Sequence, residues 1–302
     1  MSTQLMPLEI FIGMQTATIQ GGLDDLGGAR MFTCAYAPGA SVDGRKPPNN
    51  SYYLLDSGAF TDKPTARLTP DKALDRQLEW EEIVQHRAFG FVSYDLLIDE
   101  TWWNETKTKK RWSLSQADWA ITETIQAAKY LASQRDRLAD RKLLLSCQGV
   151  DAIQYTECAI EVLKFSTPVD WFGLGGWCII GKQRSYLTEF FKTCYSVLPL
   201  VKQSGVNHVH IFGVTYLPAL GGLLYLADQN GLTVSTDGTK PIKDCLWSTP
   251  EKRKQAGCRV ASGDWHENVQ WWKDTCYNLR QSKYYRKPPV MEHTRQLEME
   301  LI

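Results

Sequence analysis

Short apolar runs alternate with longer amphipathic ones along this chain. Eight of the short runs have strand length and strand composition, at 8–14, 31–36, 52–56, 89–95, 142–148, 169–175, 206–214 and 232–237. Between them, apolar residues recur at helical spacing over 70–87, 115–141, 152–165, 183–203 and 219–230. Pro70 suits a first helical turn, and Pro199 predicts a break or an end near the close of the fourth helix. A Gly-, Pro- and Asn-rich stretch at 38–51 reads as a loop, and the polar, basic and aromatic stretch 102–112 as a surface excursion.

Strands alternating with helices predict a parallel sheet, and eight of them predict a (β/α)8 barrel. The competing architecture is an open doubly wound sheet. Neither a G-x-G-x-x-G after the first strand nor a P-loop is present, which weighs against a dinucleotide or nucleoside triphosphate site. A length of 302 residues suits one such barrel. We read 1–240 as the barrel and 241–302 as a divergent, basic, helical C-terminal extension packed on it.

The strand ends carry the chemistry. Six runs close on a carboxylate, an amide or glycine: Asp56, Asp95, Gln148, Gly175-Gly176, Gly213 and Asp237. In a barrel of this kind, the C-terminal strand ends share one mouth, where catalytic residues sit. Three carboxylates facing one pocket repel each other unless a proton or a substrate offsets them. Glycosyl transfer uses such a set, with one carboxylate attacking the anomeric carbon and another moving a proton. A heterocyclic base suits the remainder. Asp accepts from ring N–H and amino groups, Gln and backbone N–H groups serve a carbonyl, and adjacent glycines admit a flat ring closely.

Composition narrows the partners. Hydrophobic content of 43% and charged content of 23% are those of a soluble globular protein. The formal net charge is zero, so the molecule is no polycation. The tail differs: from 240 to 295 it holds twelve Lys and Arg against six Asp and Glu. That asymmetry fits a polyanion as well as it fits a solvated helix face. Eleven tryptophans are read mainly as packing, but Trp102 and Trp103, with Lys109, Lys110 and Arg111 close behind, follow the strand that ends on Asp95. Stacking rings among cations suit a nucleic acid at the mouth. Tyr284-Tyr285-Arg286-Lys287 is a second such stretch.

Eight cysteines are scattered without a C-x-x-C pair, and we expect them reduced and buried in an intracellular protein. Cys245, Cys258, His266 and Cys276 in the tail are weak candidates for a zinc site, though their spacing matches no zinc pattern. No signal peptide and no membrane span are expected, which points to the cytoplasm.

At this point the residues resemble a family. Asp56-Ser57-Gly58-Ala59-Phe60 is similar to the Asp-Ser-Gly-Gly-Phe motif of the queuine/archaeosine tRNA-guanine transglycosylases. Cys147-Gln148-Gly149 resembles their Val-Gln-Gly, Gly173-Leu174-Gly175-Gly176 their glycine-rich strand end, and Asp237 falls where they carry the nucleophile. The likeness spans about residues 8–240. It implies a TIM barrel that exchanges guanine for a 7-deazaguanine, with Asp237 attacking C1′ and Asp56 as general acid/base. Asp95, Gln148, Gly175 and Gly176 would hold the base. The exchange is close to energy-neutral and implies no ATP or redox cofactor.

The sequence also departs from that family. The Cys-x-Cys-x-x-Cys metal signature is missing, Thr61 stands where Gln is expected, four residues rather than three precede Gly181, and the tail resembles no RNA-binding appendage. These departures are similar to the branch of the superfamily that inserts bases such as preQ0 into DNA, in phages and bacterial modification clusters. The resemblance therefore implies DNA, a free 7-deazaguanine and modification-cluster proteins as partners, in a bacterial cell or a phage-infected host. The rival readings are the same exchange on tRNA, a hydrolytic base glycosidase, and an inactive barrel that only binds nucleic acid.

Overall fold

The computed structural model describes residues 6–14, 28–35, 51–62, 67–96, 98, 114–178 and 184–289. The segment carrying Trp102, Trp103, Lys109, Lys110 and Arg111 lies outside them.

Eight parallel strands close into a barrel in chain order: β1 (Glu9–Met14), β2 (Gly28–Thr33), β3 (Ser51–Asp56), β4 (Gly90–Val92), β5 (Lys142–Cys147), β6 (Trp171–Leu174), β7 (His208–Ile211) and β8 (Thr233–Gly238), with β8 pairing back onto β1. The protein is a TIM barrel. Most strands lie within a residue or two of their expected places. The fourth and seventh end three residues short of their expected ends, and the second begins at Gly28, three residues before its expected start, because pairing with β3 recruits Gly28, Ala29 and Arg30 into the ladder. Ladder hydrogen bonds to β3 outweigh the weak strand tendency of Gly28 and Ala29.

The helices among the described residues are α1 (Pro70–Val84), α2 (Leu114–Ser133), α3 (Arg135–Leu138), α4 (Ala152–Leu163), α5 (Arg184–Gln203), α6 (Leu217–Gln229), α7 (Lys240–Lys243), α8 (Pro250–Ala256) and α9 (Trp265–Tyr277). Pro70 opens α1 behind Thr69, and Asp151 caps α4 by accepting from Gln154 N–H. The break expected at Pro199 does not occur, and α5 runs through it. An internal proline costs about 3 kcal/mol, and burying Val197, Leu198 and Val201 on both sides of it offsets that cost.

One continuous core fills the layer between strands and helices. Trp272, Val269 and Cys276 of α9 belong to it, and α9 packs against β1 and α7. The tail thus supplies an outer helix of the barrel. A second, smaller core lies inside the barrel, where Phe11, Met31, Leu54, Val92 and Leu144 meet.

Two polar ties hold the mouth. The Gln77 side-chain amide of α1 donates to Leu55 O and Val92 O, which joins the ends of β3 and β4 beside Asp56 and Asp95. Arg76 donates to Ser57 O and pairs with Asp62.

Candidate active site

Six strand-end residues singled out above meet in one cavity of about 460 Å³: Asp56, Asp95, Gln148, Gly175, Gly176 and Asp237. Phe212 and Met31 form its apolar floor, and Thr61, Lys240 and Lys243 belong to its rim. The barrel brings these groups together although Asp56 and Asp237 stand 181 positions apart in the chain.

Asp56 ends β3. Its Oδ2 accepts Gly58 N–H at 3.1 Å, and Thr33 of β2 also hydrogen-bonds its carboxylate. Burial pushes its pKa up to about 7, and the negative Asp95 and Asp237 add to the effect. Asp56 can therefore hold or release a proton at neutral pH.

Asp95 follows β4. Burial raises its pKa as well, while Gln148 and Arg67 oppose the shift. Gln148, fully buried at the end of β5, donates from its amide to Asp95 Oδ2, and Arg67 donates to the Asp95 carbonyl. Gln148 Oε1 is buried without a hydrogen-bond partner among the described residues, so this amide has an acceptor to offer a ligand.

The two glycines after β6 are dictated by these neighbours. A Cβ on Gly175 would lie 2.0 Å from Gln148 Nε2. Gly176 has φ +81°, and a Cβ there would lie 2.6 Å from the Tyr155 hydroxyl. That hydroxyl donates to Gly175 O at 2.6 Å. The turn thus lies against Gln148 with no side chain between.

Asp237 closes the ring from β8. Its Oδ1 accepts Gly213 N–H at 2.7 Å and lies 3.2 Å from His210 Nε2. His210 is fully buried beneath the cavity, with Phe212 and Phe11 edge-on to its ring. Sequence reading missed His210, Gly213's role and the rim lysines. The available signal was the alternation of polar residues within apolar strands, His208 and His210 in β7 and Thr233, Ser235 and Asp237 in β8, which marks an inward-facing polar row.

Other expectations need correction. Cys245 and Cys258 form a disulfide, so they are neither reduced nor free to bind metal. Cys276 is buried in the core, and His266 is engaged with Asp264. Among the described residues no group of three or more His, Cys, Asp or Glu could hold a metal ion. The tail therefore does not fit the family's zinc. The six remaining cysteines form no disulfide, and all but Cys178 are buried, as expected. Tyr284 and Tyr285 pack onto the outer helices, and Tyr285 donates to Asp228, so these rings form no stacking platform at the mouth. Among the described residues no helix is long and apolar enough to cross a membrane.

The site thus defines a TIM barrel whose mouth holds three carboxylates, one amide and a glycine turn. No family model and no curated protein matches the sequence. Among solved structures, a candidate lyase/mutase from Burkholderia cenocepacia aligns over 98% of this chain and 92% of its own, at 11% identity and a TM-score of 0.42. A candidate fructose-1,6-biphosphate aldolase from Coccidioides immitis aligns over 91% and 94%, at 9% identity and the same score. These likenesses are too distant for any activity to be taken from them.

Proposed function

We propose that this protein is an enzyme, a guanine transglycosylase that exchanges guanine in DNA for a free 7-deazaguanine of the preQ0 type. The observation that carries the reading is the meeting of Asp56, Asp95 and Asp237 in one cavity with unequal surroundings. Asp56 is poised near neutrality, Asp95 is tied to Gln148, and Asp237 has one carboxylate oxygen held by a backbone N–H. Acids placed in contrasting environments are what divided acid, base and nucleophile roles require.

The step balances as follows. An Asp237 oxygen attacks C1′ of the nucleotide as the C1′–N9 bond breaks. The bonding pair leaves with guanine, which takes the proton of Asp56 and departs neutral. A covalent glycosyl ester on Asp237 remains. The incoming 7-deazaguanine gives its N9 proton to Asp56, its nitrogen attacks C1′, and the ester bond breaks to restore the Asp237 carboxylate. Asp95 accepts the N–H groups of the base's pairing edge. Backbone and amide groups around Gln148 and Gly175 serve its other polar atoms.

The rim suits a nucleotide. Lys240 and Lys243 line the same cavity as Asp237, near where the phosphodiester adjoining C1′ would lie, although Lys240 Nζ also pairs with Asp244 and donates to Ala256 O. The loops after the last two strands are where barrels of this class commonly receive phosphate. A duplex guanine would have to leave the stack, at a cost of a few kcal/mol. DNA is preferred over tRNA because of the sequence departures described above, and the disulfide in place of a metal site is a further departure.

The test uses DNA and tRNA carrying tritiated guanine, each incubated with the protein and unlabelled preQ0. Release from DNA that depends on preQ0 is expected. Release from tRNA alone would return the protein to the tRNA enzymes, and release without any added base would make it a hydrolase. Release from neither polymer overturns the reading.

A further inference from the structure

Beneath the cavity, a row of polar side chains runs down the barrel interior between β7 and β8. From Asp237 Oδ1 it passes to His210 Nε2 at 3.2 Å, and from His210 Nδ1 to Ser235 Oγ at 2.8 Å. It goes on from Ser235 Oγ to His208 Nε2 at 2.7 Å, and from His208 Nδ1 to Thr233 Oγ1 at 2.7 Å. His210 and Ser235 have no solvent exposure. Trp171 stacks on His208 at 3.7 Å, and Phe11 packs on both Trp171 and His210. The row is therefore walled by aromatic rings.

Each link must consist of one donor and one acceptor, which restricts where the hydrogens sit. A neutral imidazole donates from one nitrogen and accepts at the other, and a hydroxyl has one hydrogen to give. Burial, with His210 and Lys142 nearby, lowers the basicity of His208 to about 3, so it is neutral.

If His210 is neutral, two polarities are consistent along the row. In the first, every hydrogen points away from the cavity. Thr233 donates to Asn207 O, both imidazoles carry hydrogen on Nδ1, and the lone pair of His210 Nε2 faces the Asp237 carboxylate. Two acceptors then oppose each other in a buried place, which is costly. In the second, every hydrogen points toward the cavity. Thr233 donates to His208, His208 Nε2–H to Ser235, Ser235 to His210, and His210 Nε2–H to Asp237. Asn207 O still accepts Thr233 N–H at 2.9 Å, so every group is satisfied.

We infer that the row takes the second polarity and that His210 is a positioning residue for Asp237. His210 Nε2–H and Gly213 N–H both hold Oδ1, so Oδ2, which neither donor engages, is the oxygen that attacks C1′. The nucleophile is oriented from below, through residues that touch no substrate. This rests on the base-exchange reading for its chemistry, but the hydrogen placement stands apart from it.

The test has two parts. Ring nitrogen-15 spectra of the five histidines, assigned with His208→Gln and His210→Gln, report each tautomer at neutral pH. Neutral Nε2–H forms are expected for both His208 and His210. A His210 that carries its hydrogen on Nδ1 alone, or a His210 imidazolium, would overturn the polarity. In single-turnover guanine release, Ser235→Ala should slow the step ~10-fold, and His210→Leu ~100-fold, with KM for the polymer unchanged. His210→Gln, which restores an N–H near the Nε2 place, should recover part of the loss. Wild-type rates in folded Ser235→Ala and His210→Leu would overturn the positioning role. A wild type that releases guanine from no polymer would remove the exchange reading and, with it, this catalytic role, while the nitrogen spectra would still decide the hydrogen placement.

Discussion

Gln148 donates its side-chain amide to Oδ2 of Asp95, tying the end of β5 to the segment that leaves β4. The bond orients the carboxylate we assign to the base, and it favours the ionised form of Asp95 against the cost of burial. Gln148→Leu should raise KM for the free base by ~10- to 100-fold, the worth of one hydrogen bond to a charged group, with a smaller effect on the rate of guanine departure. An unchanged KM would mean that Asp95 is oriented by other groups. Gly175→Ala should act in the same direction, since the added Cβ displaces the same amide.

Asp56 retains its proton up to about pH 7, because enclosure and the neighbouring Asp95 both disfavour its charge. The acid form is the one that protonates departing guanine. The single-turnover release rate should therefore be high below that pH and fall as pH rises through it. Asp95→Asn removes one of the charges that raise Asp56, so the inflection should move to lower pH. A release rate independent of pH between 5 and 9 in the wild type would count against Asp56 as the acid. Asp56→Asn should lose ~10²- to 10⁴-fold, the usual contribution of a positioned acid/base group.

Asp237→Ala should abolish guanine release while leaving DNA affinity within about 2-fold, because the residue acts on C1′ and not on phosphate. Replacing Lys240 and Lys243 by Ala should do the reverse, weakening binding and flattening its salt dependence by up to about 2 in log–log slope. Equal affinity loss in both variants would separate the rim from the proposed phosphate contact.

Glu9 opens β1 at the opposite end of the barrel, where the Tyr52 hydroxyl donates to it. Burial raises its pKa from 4.5 to about 7. The folded protein keeps this proton across a window in which the unfolded chain has lost it. Glu9 therefore lowers stability as pH rises from 4.5 to about 7, and the loss persists above that range. Glu9→Gln should be more stable than wild type at pH 8, by up to about 3 kcal/mol, with the difference vanishing near pH 4. Denaturant titrations at both values check it, and a constant difference would show that folding leaves the pKa of Glu9 unchanged.

The Cys245–Cys258 disulfide closes the loop that holds α8 between α7 and α9. Thiol titration of the denatured, unreduced protein should find six reactive cysteines, and reduction should lower the unfolding temperature, in line with a loop closure worth about 3 kcal/mol. Eight reactive thiols would show the pair reduced.

The sequence by itself determined the barrel and most of its mouth. A parallel strand of a closed barrel delivers its last residue to the common end whatever its neighbours are, so Asp56, Asp95, Gln148, Gly175, Gly176 and Asp237 could be named from strand runs alone. What each of them does depends on registers that only the closed sheet sets. The pairing of His208 with Thr233 and of His210 with Ser235 places two imidazoles and two hydroxyls in one row beneath Asp237, although β7 and β8 lie over twenty positions apart. The near-neutral acidity of Asp56 comes from desolvation and from two carboxylates on distant strands. The second strand starts early because β3 pairs with its first residues. The tail's cysteines looked like free thiols or metal ligands in sequence, and chain folding around α8 brought two of them within bonding reach. Local pattern specifies an element and its end, but contact between elements, and the electrostatics that follow from it, exist only once the chain has closed.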